Sequence, residues 1–539
     1  MPSFAYDNEP VVRPLAPIEQ LVHWMMSTTI HLAIGLAIGL IAATIMRRRH
    51  LRWTWAAGAF VLVVLARGIV GDGALTLGTA ALCAAMRGRR WHREDVEAGA
   101  DLADVAARRH GPMDTLRLLA RKAEMRWGAA GSESWWRGDR LTIGHERDGR
   151  AATIPLGGMT GGTHTLVLGA TRSGKTVTMT WMTSRAIERG MGVIVIDPKG
   201  DRDLRRELQC AASAQGRRFV EWAPRGHTVY NPYARGSETE IADKALAGER
   251  FTEPHYLRQA QRYLGHEVRV LRKAGIEVSL KALVEHLDTS RLELLARSLP
   301  ELQAQGAHAY LDSLTTRQQS DLAGVRDRLA IMAESDIGPW LDPQTQDASR
   351  LDLLQAAKTR AVVYFDLQAD QRPLLAQMLG AAIVGDLQAT VAGLQGRPVP
   401  TLVMIDEFSA IAPERVVGLF ARAGGAGVSL LLGTQELADM RVPGREMLLE
   451  QIVGNLSVLI AHRQVVPSSA ELLAEMTETR GVWRTSRHGE GKFTRTRGLD
   501  RALRAGQVMS LAQGWAAVIG LSDGGGVSIA RMLSVKRRR

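Results

Sequence analysis

The hydrophobic positions follow three patterns in three parts of the chain. Near the N-terminus they form long runs, of which residues 24–46 are enough to cross a bilayer. Two further runs follow at 53–70 and 74–86, and the last could span only if it began near Ile69. Later the apolar residues stand in short runs bounded by glycine or polar residues, which predicts strands. Between 236 and 340 they recur three and four apart, which predicts helices.

Arginines predict how the N-terminal runs are oriented. Two clusters follow the first and third runs: Arg47, Arg48, Arg49 and Arg52, then Arg87, Arg89, Arg90 and Arg93. Because positively charged loops stay in the cytoplasm, three spans with the N-terminus outside satisfy both clusters. A two-span hairpin is the alternative, since the third run is short and carries Asp72 near its start. We do not expect a cleaved signal peptide, because the leader has one arginine and three acids.

The short apolar runs predict a sheet of mostly parallel strands, because parallel strands are buried on both faces and read as continuous apolar segments. A hairpin over 141–156 is expected to lead into them. The predicted core strands are 164–168, 192–197, 219–223, 361–367, 401–405, 428–434, 458–461, 515–519 and 527–533. The expected fold class is therefore α/β.

A phosphate-binding loop follows the first core strand. Its residues fit G-x-x-x-x-G-K-[ST] and precede a predicted helix at 177–189: Gly169, Ala170, Thr171, Arg172, Ser173, Gly174, Lys175 and Thr176. The glycines let loop amides and the helix N-terminus face a phosphate. Lys175 is expected on the β- and γ-phosphates and the Thr176 hydroxyl on Mg²⁺. The segment predicts an ATP and Mg²⁺ site.

Polar residues at the ends of other predicted strands complete this site. Asp406 is expected to hold Mg²⁺, directly or through water, and Glu407 to act as general base on the attacking water. Gln435, after the next strand, is expected to sense the γ-phosphate. An earlier turn reads Asp197-Pro-Lys199-Gly-Asp201 at the edge where open α/β sheets bind ligands. A plain strand-to-turn junction is the alternative for Asp197, Lys199 and Asp201.

The helical pattern at 236–340 interrupts the strand-bearing sequence. Predicted helices cover 241–247, 255–274, 280–287, 291–304 and 317–333. A long insertion in a compact fold is usually functional, so we expect recognition, with a purely structural role as the alternative. The expected domains are a transmembrane region at 1–90, a nucleotide-binding domain at 91–235 and 341–539, and an all-α domain at 236–340. One or two connector helices are expected over 94–126.

Charge and cysteine content narrow the classes of function. The net charge of +12 favours a polyanionic partner, either nucleic acid or an acidic membrane surface. Part of the excess stands beside the membrane runs and in the tail at 536–539. The two cysteines, Cys83 and Cys210, lie too far apart in the sequence to suggest a disulfide framework or a metal-ligand spacing.

Together these motifs resemble the type IV coupling proteins, the TraG/TraD-like ATPases of conjugation within the FtsK/HerA group of P-loop motors. The resemblance runs from about residue 164 to 533. It rests on segments 169–176, 197–201, 230–232, 401–408 and 432–435, and on Gly454-Asn455 before His462-Arg463. It implies a RecA-like P-loop domain with an inserted all-α domain, anchored as a homohexamer in the bacterial inner membrane. It also implies ATP-driven passage of single-stranded DNA with its relaxase into a type IV secretion channel.

Two features depart from the resembled family. Its members usually have two spans with both ends cytoplasmic, whereas the arginines here favour three. An arginine that acts on the neighbouring subunit's ATP commonly precedes the glycine-led strand that ends in the sensor glutamine. Arg422 stands near that place, displaced by about two residues, and Arg415 and Arg463 are the next candidates for this arginine finger.

Two alternatives to a conjugative DNA pump stay open from the sequence. One is a double-stranded DNA translocase of the FtsK type, disfavoured because no winged-helix-sized segment follows the last strands. The other is a receptor that docks secretion substrates while hydrolysis is minor. The intact set of Lys175, Thr176, Asp406 and Glu407 argues against an inert site, but it does not identify what is moved.

Overall fold

The computed structural model describes residues 17–49, 51–70, 73–97, 135–147, 149–157, 162–248, 251, 253–345, 348–411, 413–441, 447–487, 493–522 and 526–535. Most of the predicted connector at 94–126, and the basic tail, lie outside these residues. The described chain forms two units. One contains the N-terminal helices and a hairpin within 479–500, and the other contains most of the remaining chain.

The N-terminal unit begins with a bundle of helices. They are α1 (Pro17–Arg48), α2 (Thr54–Leu65), α3 (Arg67–Val70) and α4 (Gly73–Glu97). Residues later in α1 contact residues later in α4. A Cβ on Gly35 would lie 2.7 Å from the Thr76 carbonyl oxygen, and one on Gly39 would lie 2.6 Å from that of Ala80. The two helices are therefore parallel, and glycines four residues apart let their backbones touch.

The second helix runs the other way against α4. Phe60 and Val63 of α2 lie near Gly78, whereas Trp53, just before α2, packs on Gly88. Of the helices long and apolar enough to cross a membrane, α1 is only 17% buried within its apolar window. The other, residues 373–393, is 72% buried and forms part of the core of the second unit. Both helices meet the requirements of length and composition, and the low burial of α1 favours it as a membrane segment.

The second unit is built on a twelve-stranded sheet. Its first six strands are β1 (Trp136–Arg137), β2 (Arg140–Glu146), β3 (Ala151–Pro155), β4 (Thr165–Leu168), β5 (Gly192–Asp197) and β6 (Phe219–Trp222). Two short strands outside this sheet come next, β7 (Thr228–Tyr230) and β8 (Ser349–Leu351). The sheet continues with β9 (Val362–Asp366), β10 (Thr401–Ile405), β11 (Val428–Thr434) and β12 (Val458–Ala461). After β13 (Thr479–Arg487) and β14 (Phe493–Arg501) come β15 (Trp515–Gly520) and β16 (Val527–Met532).

The strand order is β1-β2-β16-β15-β12-β4-β11-β10-β5-β9-β6, with β3 beside β2. From β12 to β6 all pairs are parallel, as predicted. From β12 to β1 they are antiparallel. The antiparallel wing was not predicted, because it pairs the 141–156 hairpin with strands that lie almost four hundred residues later.

Helices cover both faces of the parallel strands. Before the insertion come α5 (Lys175–Glu188) and α6 (Arg202–Ala214). The insertion contains α7 (Glu238–Ala245), α8 (Pro254–Lys273), α9 (Leu280–His286), α10 (Thr289–Arg297), α11 (Glu301–Asp312) and α12 (Thr316–Ala333). After it come α13 (Leu353–Lys358), α14 (Pro373–Gly393), α15 (Pro413–Ala423), α16 (Leu448–Val453), α17 (Pro467–Glu475) and α18 (Ala505–Met509). Alternate residues of β5 face two separate cores, Val193 with Met179 of α5, and Ile194 with Leu379 of α14. The continuous apolar pattern of β5 thus reflects burial on both faces.

The insertion shares its core with the sheet. Lys244 of α7 donates to Asp386 of α14 at 3.0 Å, and the Tyr230 hydroxyl donates to the other oxygen of Asp386 at 2.8 Å. Both members of the Lys244–Asp386 ion pair are buried, so the pair fixes the helices against the sheet. The predicted helix at 291–304 was wrong: α10 ends at Arg297, and α11 begins at Glu301 with Pro300 as its N-cap. A proline at 300 has no N–H to donate to a continuing helix.

Candidate nucleotide site

The phosphate loop has the backbone that its sequence predicts. Gly174 at its end has φ of +113°, and Arg172 has φ of +65°. A Cβ on Gly169 would lie 2.4 Å from Ser173 Oγ, so the tight curl requires glycine there. The curl leads directly into α5, whose first amides have no partner within the helix and point toward the loop. The arrangement can receive a phosphate at a helix N-terminus.

Two later segments support the loop from behind. The amide of His462, next to β12, donates to Leu168 O at 2.8 Å, and the amide of Ala170 donates to Arg463 O at 3.3 Å. The amide of Gly514 donates to Ser173 O at 3.0 Å. The strand β12 therefore places residues 462–463 directly under the loop.

Of these supporting residues, His462 is fully buried. Burial lowers its pKa to about 4, so the ring is neutral at pH 7. Its Nε2 lies 3.0 Å from Thr178 Oγ1 on the first turn of α5. The sequence drew attention to His462 only as part of a family motif. Its supporting role follows from its place directly after β12, which pairs with β4, and the sequence alone does not show that pairing.

Lys175 and the acidic pair meet although they are far apart in sequence. Lys175 Nζ lies 2.8 Å from Asp406 Oδ1 and 2.6 Å from Glu407 Oε1. Glu407 is in the left-handed region, with φ of +44°. A Cβ on Gly433 of the neighbouring strand would lie 2.6 Å from Asp406 Oδ1, so glycine makes room for that carboxylate. The predicted Lys175, Asp406 and Glu407 thus form one buried cluster.

Glu407 has two further partners. Lys199 Nζ lies 2.9 Å from Glu407 Oε1, and Gln435 Nε2 donates to the same oxygen at 3.4 Å. Burial alone would raise the pKa of Glu407, but the ammonium groups of Lys175 and Lys199 outweigh it and hold the pKa below its usual range. Glu407 is therefore ionised at neutral pH, as a base must be. The contact between Lys199 and Glu407 was not predicted.

The aspartates of the 197–201 turn act mainly on the turn itself. Asp197 accepts hydrogen bonds from the amides of Lys199 at 2.9 Å and Asp201 at 2.7 Å, and from the Tyr364 hydroxyl at 2.6 Å. Asp201 caps α6 by accepting from the amides of Asp203 and Leu204. Of the three predicted residues, only Lys199 is shown in contact with the acidic pair. The turn therefore serves to aim Lys199.

The residues present fit a magnesium nucleotide. Ser173 Oγ is buried in the loop without a partner among the described residues. Thr176 lies in the first turn of α5, and Asp406 supplies carboxylate oxygens, which together offer the hard oxygen ligands that Mg²⁺ uses beside phosphates. The Lys175 ammonium contacts both members of the acidic pair and can move from them to a phosphate. This set matches the chemistry of phosphoryl transfer.

Arg422 lies away from the site of its own chain. It stands in the last turn of α15, exposed, and its carbonyl accepts from Gln395 Nε2 at 2.8 Å. Because α15 leads from the end of β10 back to the start of β11, Arg422 is near the sheet edge opposite the phosphate loop. Arg463, in contrast, lies beside its own loop. Within one chain the two arginines cannot serve the same phosphate.

Two family models match the chain. The central domain of the helicase HerA matches residues 141–371, and the TraM recognition site of TraD and TraG matches residues 400–513. The first contains the phosphate loop and the whole insertion, and the second contains the acidic pair and Gln435. A search of curated protein sequences finds no match.

Solved structures share the fold at low identity. The unbound monoclinic form of the bacterial conjugative coupling protein TrwBΔN70 is similar with a TM-score of 0.56 and 14% identity, covering 75% of this chain and 91% of that one. TrwB in complex with ADP and Mg²⁺ has a TM-score of 0.54 and 14% identity, covering 77% and 93%. VirB4 of Thermoanaerobacter pseudethanolicus has 0.51 and 14%, covering 76% and 99%.

Proposed function

Because the chain belongs to the HerA–TraG group of P-loop ATPases, which includes the type IV coupling proteins, we propose that it is a membrane-anchored, ATP-driven coupling protein of conjugation. It hydrolyses Mg²⁺–ATP and passes single-stranded DNA, with its attached relaxase, to a type IV secretion channel. The working form is a homohexamer in the bacterial inner membrane. The observation that carries the proposal is the buried cluster of Lys175, Asp406 and Glu407 beneath the phosphate loop.

The chemistry divides among the residues described above. The loop amides and Lys175 bind the β- and γ-phosphates, while Thr176 and Asp406 hold Mg²⁺. Binding draws the Lys175 ammonium toward the phosphates, and Lys199 then stays as the counterion that keeps Glu407 ionised. Glu407 takes the proton of the attacking water. Gln435 bonds to the same carboxylate oxygen and can report the γ-phosphate to β11.

ATP turnover with and without single-stranded DNA tests this proposal. The full chain in detergent should hydrolyse ATP slowly alone and several-fold faster with single-stranded DNA, because a motor couples turnover to its track. Duplex DNA of equal length is the matched comparison. Stimulation by the duplex alone would favour the double-stranded translocase. Turnover that no DNA changes would favour a docking receptor and contradict the pump.

We propose three membrane spans, formed by α1, by α2 with α3, and by α4. The parallel packing of α1 and α4, with α2 antiparallel, supports this arrangement, because the ends of α1 and α4 then lie on one side. Reporter fusions at Arg49 and Arg93 should report the cytoplasm, and fusions at Asp7 and near Asp72, which lie outside the described residues, the opposite side. A cytoplasmic Asp7 with an external Arg49 would contradict three spans and restore the two-span arrangement.

We propose that the insertion recognises the transferred substrate. Its deletion would break the core that it shares with α14, so surface substitutions give the sharper test. Leu294 and Leu302 are large apolar side chains on its helices, 69% and 91% exposed. Leu294→Ser with Leu302→Ser should lower substrate transfer severalfold while ATP turnover without DNA stays unchanged. Unchanged transfer would count against recognition by this surface.

A further inference from the structure

The segment that carries Glu407 is held in a backbone conformation that needs support. Its φ of +44° lies in the left-handed region, and a residue with a side chain keeps such a conformation only where its surroundings fix it. The amide of Glu407 donates to Asp406 Oδ1 at 2.9 Å, and the side chain of Phe408 is fully buried. Ser409 Oγ lies 3.1 Å from Thr434 Oγ1. This last contact ties the segment to the end of β11.

Thr434 joins three segments of the site. It is the last residue of β11 and is fully buried. Its carbonyl oxygen accepts from the amide of Gly169, the first residue of the phosphate loop, at 3.3 Å. Its hydroxyl donates to Asp439 Oδ2 at 2.9 Å. Because a threonine hydroxyl has a single proton, Ser409 must be the donor in its contact with Thr434. The hydrogen bonds therefore run from Ser409 through Thr434 to Asp439, and we call these three side chains the relay.

The far end of the relay holds the turn that carries the predicted sensor. Asp439 Oδ2, the oxygen that accepts from the threonine hydroxyl, also accepts from the amide of Glu436 at 3.0 Å. Glu436 directly follows Gln435, whose Nε2 donates to Glu407 Oε1 at 3.4 Å. A single carboxylate oxygen thus fixes the backbone beside Gln435 and, through the two hydroxyls, the backbone beside Glu407.

We propose that Ser409, Thr434 and Asp439 are positioning residues, whose hydrogen bonds hold the base Glu407 and the sensor Gln435 in register around the attacking water. The relay bonds to itself and to the backbone of the sensor turn, so its effect on the reaction passes through those two residues. A base must lie within hydrogen-bond reach of the water whose proton it takes. A displacement of about 1 Å can cost about 10² in rate. The inference rests on the proposed role of Glu407 in ATP hydrolysis.

Thr434→Val tests the relay in the full chain, because it removes both hydroxyl contacts and keeps the shape of the side chain. The kcat for ATP turnover should fall about tenfold or more, the effect of losing two hydrogen bonds of ordinary net strength. Equilibrium binding of a fluorescent ATP analogue should match the parent, since the phosphate loop and its backbone contact with Thr434 remain. Thr434→Ser keeps the hydroxyl and should restore turnover. The matched control is Thr390→Val on α14, whose buried hydroxyl has no partner among the described residues.

The two ends of the relay give independent variants. Ser409→Ala removes the first donor from a side chain that is only partly buried, so it tests the relay even if Thr434→Val does not fold. It should lower kcat severalfold with ATP binding unchanged. Asp439→Asn keeps an oxygen that can accept both bonds and should turn over ATP near the parental rate. Asp439→Leu removes the acceptor and should lower kcat as Thr434→Val does.

Combination with Glu407→Gln shows whether the relay acts through the base. Once the base is lost there is nothing left to position, so Thr434→Val should lower the remaining turnover much less than it lowers that of the parent. An equal further loss would overturn the proposal and make Thr434 an ordinary structural residue. Parental kcat in both Thr434→Val and Ser409→Ala would overturn it as well, and so would a loss of ATP binding as large as the loss of turnover. Failure of the base assignment is distinct, because its mark is parental turnover by Glu407→Gln alone.

Discussion

Glu407→Gln should bind Mg²⁺–ATP almost as well as the parent and turn it over at least a hundredfold more slowly. The glutamine keeps the shape of the side chain but cannot take a proton from water, and general-base catalysis contributes about 10²–10⁴ in rate. Asp406, the neighbouring carboxylate, stays to hold the metal. Equilibrium binding of a fluorescent ATP analogue and steady-state release of phosphate measure the two effects separately. Turnover at the parental rate would show that Glu407 is not the base.

Lys175→Ala should lower turnover more than Glu407→Gln does, but it changes more than one feature of the site. It should abolish turnover, because the phosphates lose their principal cation, while membrane insertion should be unaffected. It also leaves Asp406 and Glu407 as neighbouring buried carboxylates without the ammonium that lies within 3 Å of both. The two carboxylates then repel each other, so part of the loss would come from rearrangement of the acidic pair and not from the missing phosphate contact. Glu407→Gln avoids this complication because it removes one of the two charges.

Variants of Lys199 test the role of Glu407 through the direction in which the pH–rate profile shifts. In the parent, Lys199 and Lys175 hold the pKa of Glu407 below its usual range, so activity should be lost only at acid pH. Lys199→Gln removes one ammonium and raises the pKa of Glu407. The acid limb of the pH–rate profile should therefore move to higher pH. Lys199→Arg should restore the parental limb. A merely structural lysine would lower turnover equally at every pH.

Of the predicted site residues, those that the structure brings together are fixed by local motif or strand order, and their roles stay predictions. A phosphate loop needs only its own eight residues, and Asp406 follows β10, which lies one strand away from β4, with β11 between them. The contact between Lys199 and Glu407 depends on how far a flexible lysine reaches from a turn, which spacing alone cannot determine. His462 was similarly hidden, because nothing local shows which strand will neighbour β4.

The same division explains the fold. Strands of the parallel half were predicted because burial on both faces leaves a continuous apolar signal. The pairing of β16 with β2 joins segments from opposite ends of the unit, and no short-range pattern specifies such a partner. The hairpin of β13 and β14, rich in arginine and threonine, was missed because its strands carry few apolar residues in alternation. Pro300 is visible in the sequence, and a proline inside a helical pattern predicts a break that the helix predicted at 291–304 did not include.

Arg422→Ala should lower ATP turnover by a factor of about 10³ or more in the assembled ring, because an arginine finger contributes about 10³–10⁵ where it has been measured. The side chain is exposed at the sheet edge far from its own phosphate loop. It borders a hollow of about 400 Å³ that Arg415, Glu240 and Gln388 also line. Such a concave, partly cationic surface can receive the phosphates bound by a neighbouring subunit. Steady-state turnover of purified rings is the measurement.

Mixed rings separate a finger from an ordinary surface arginine. Arg422→Ala subunits keep an intact phosphate loop, and Lys175→Ala subunits keep an intact finger. Neither ring alone should turn over, but a mixture should regain activity at interfaces that combine one good half from each. Arg422→Gln at the same dose is the matched control, since it keeps length and polarity but not charge, and it should behave as alanine does. Normal turnover by Arg422→Ala rings alone would make the residue ordinary surface. The same mixing experiment would then turn to Arg415, which borders the same hollow, whereas Arg463, beside its own loop, should fail to complement in trans.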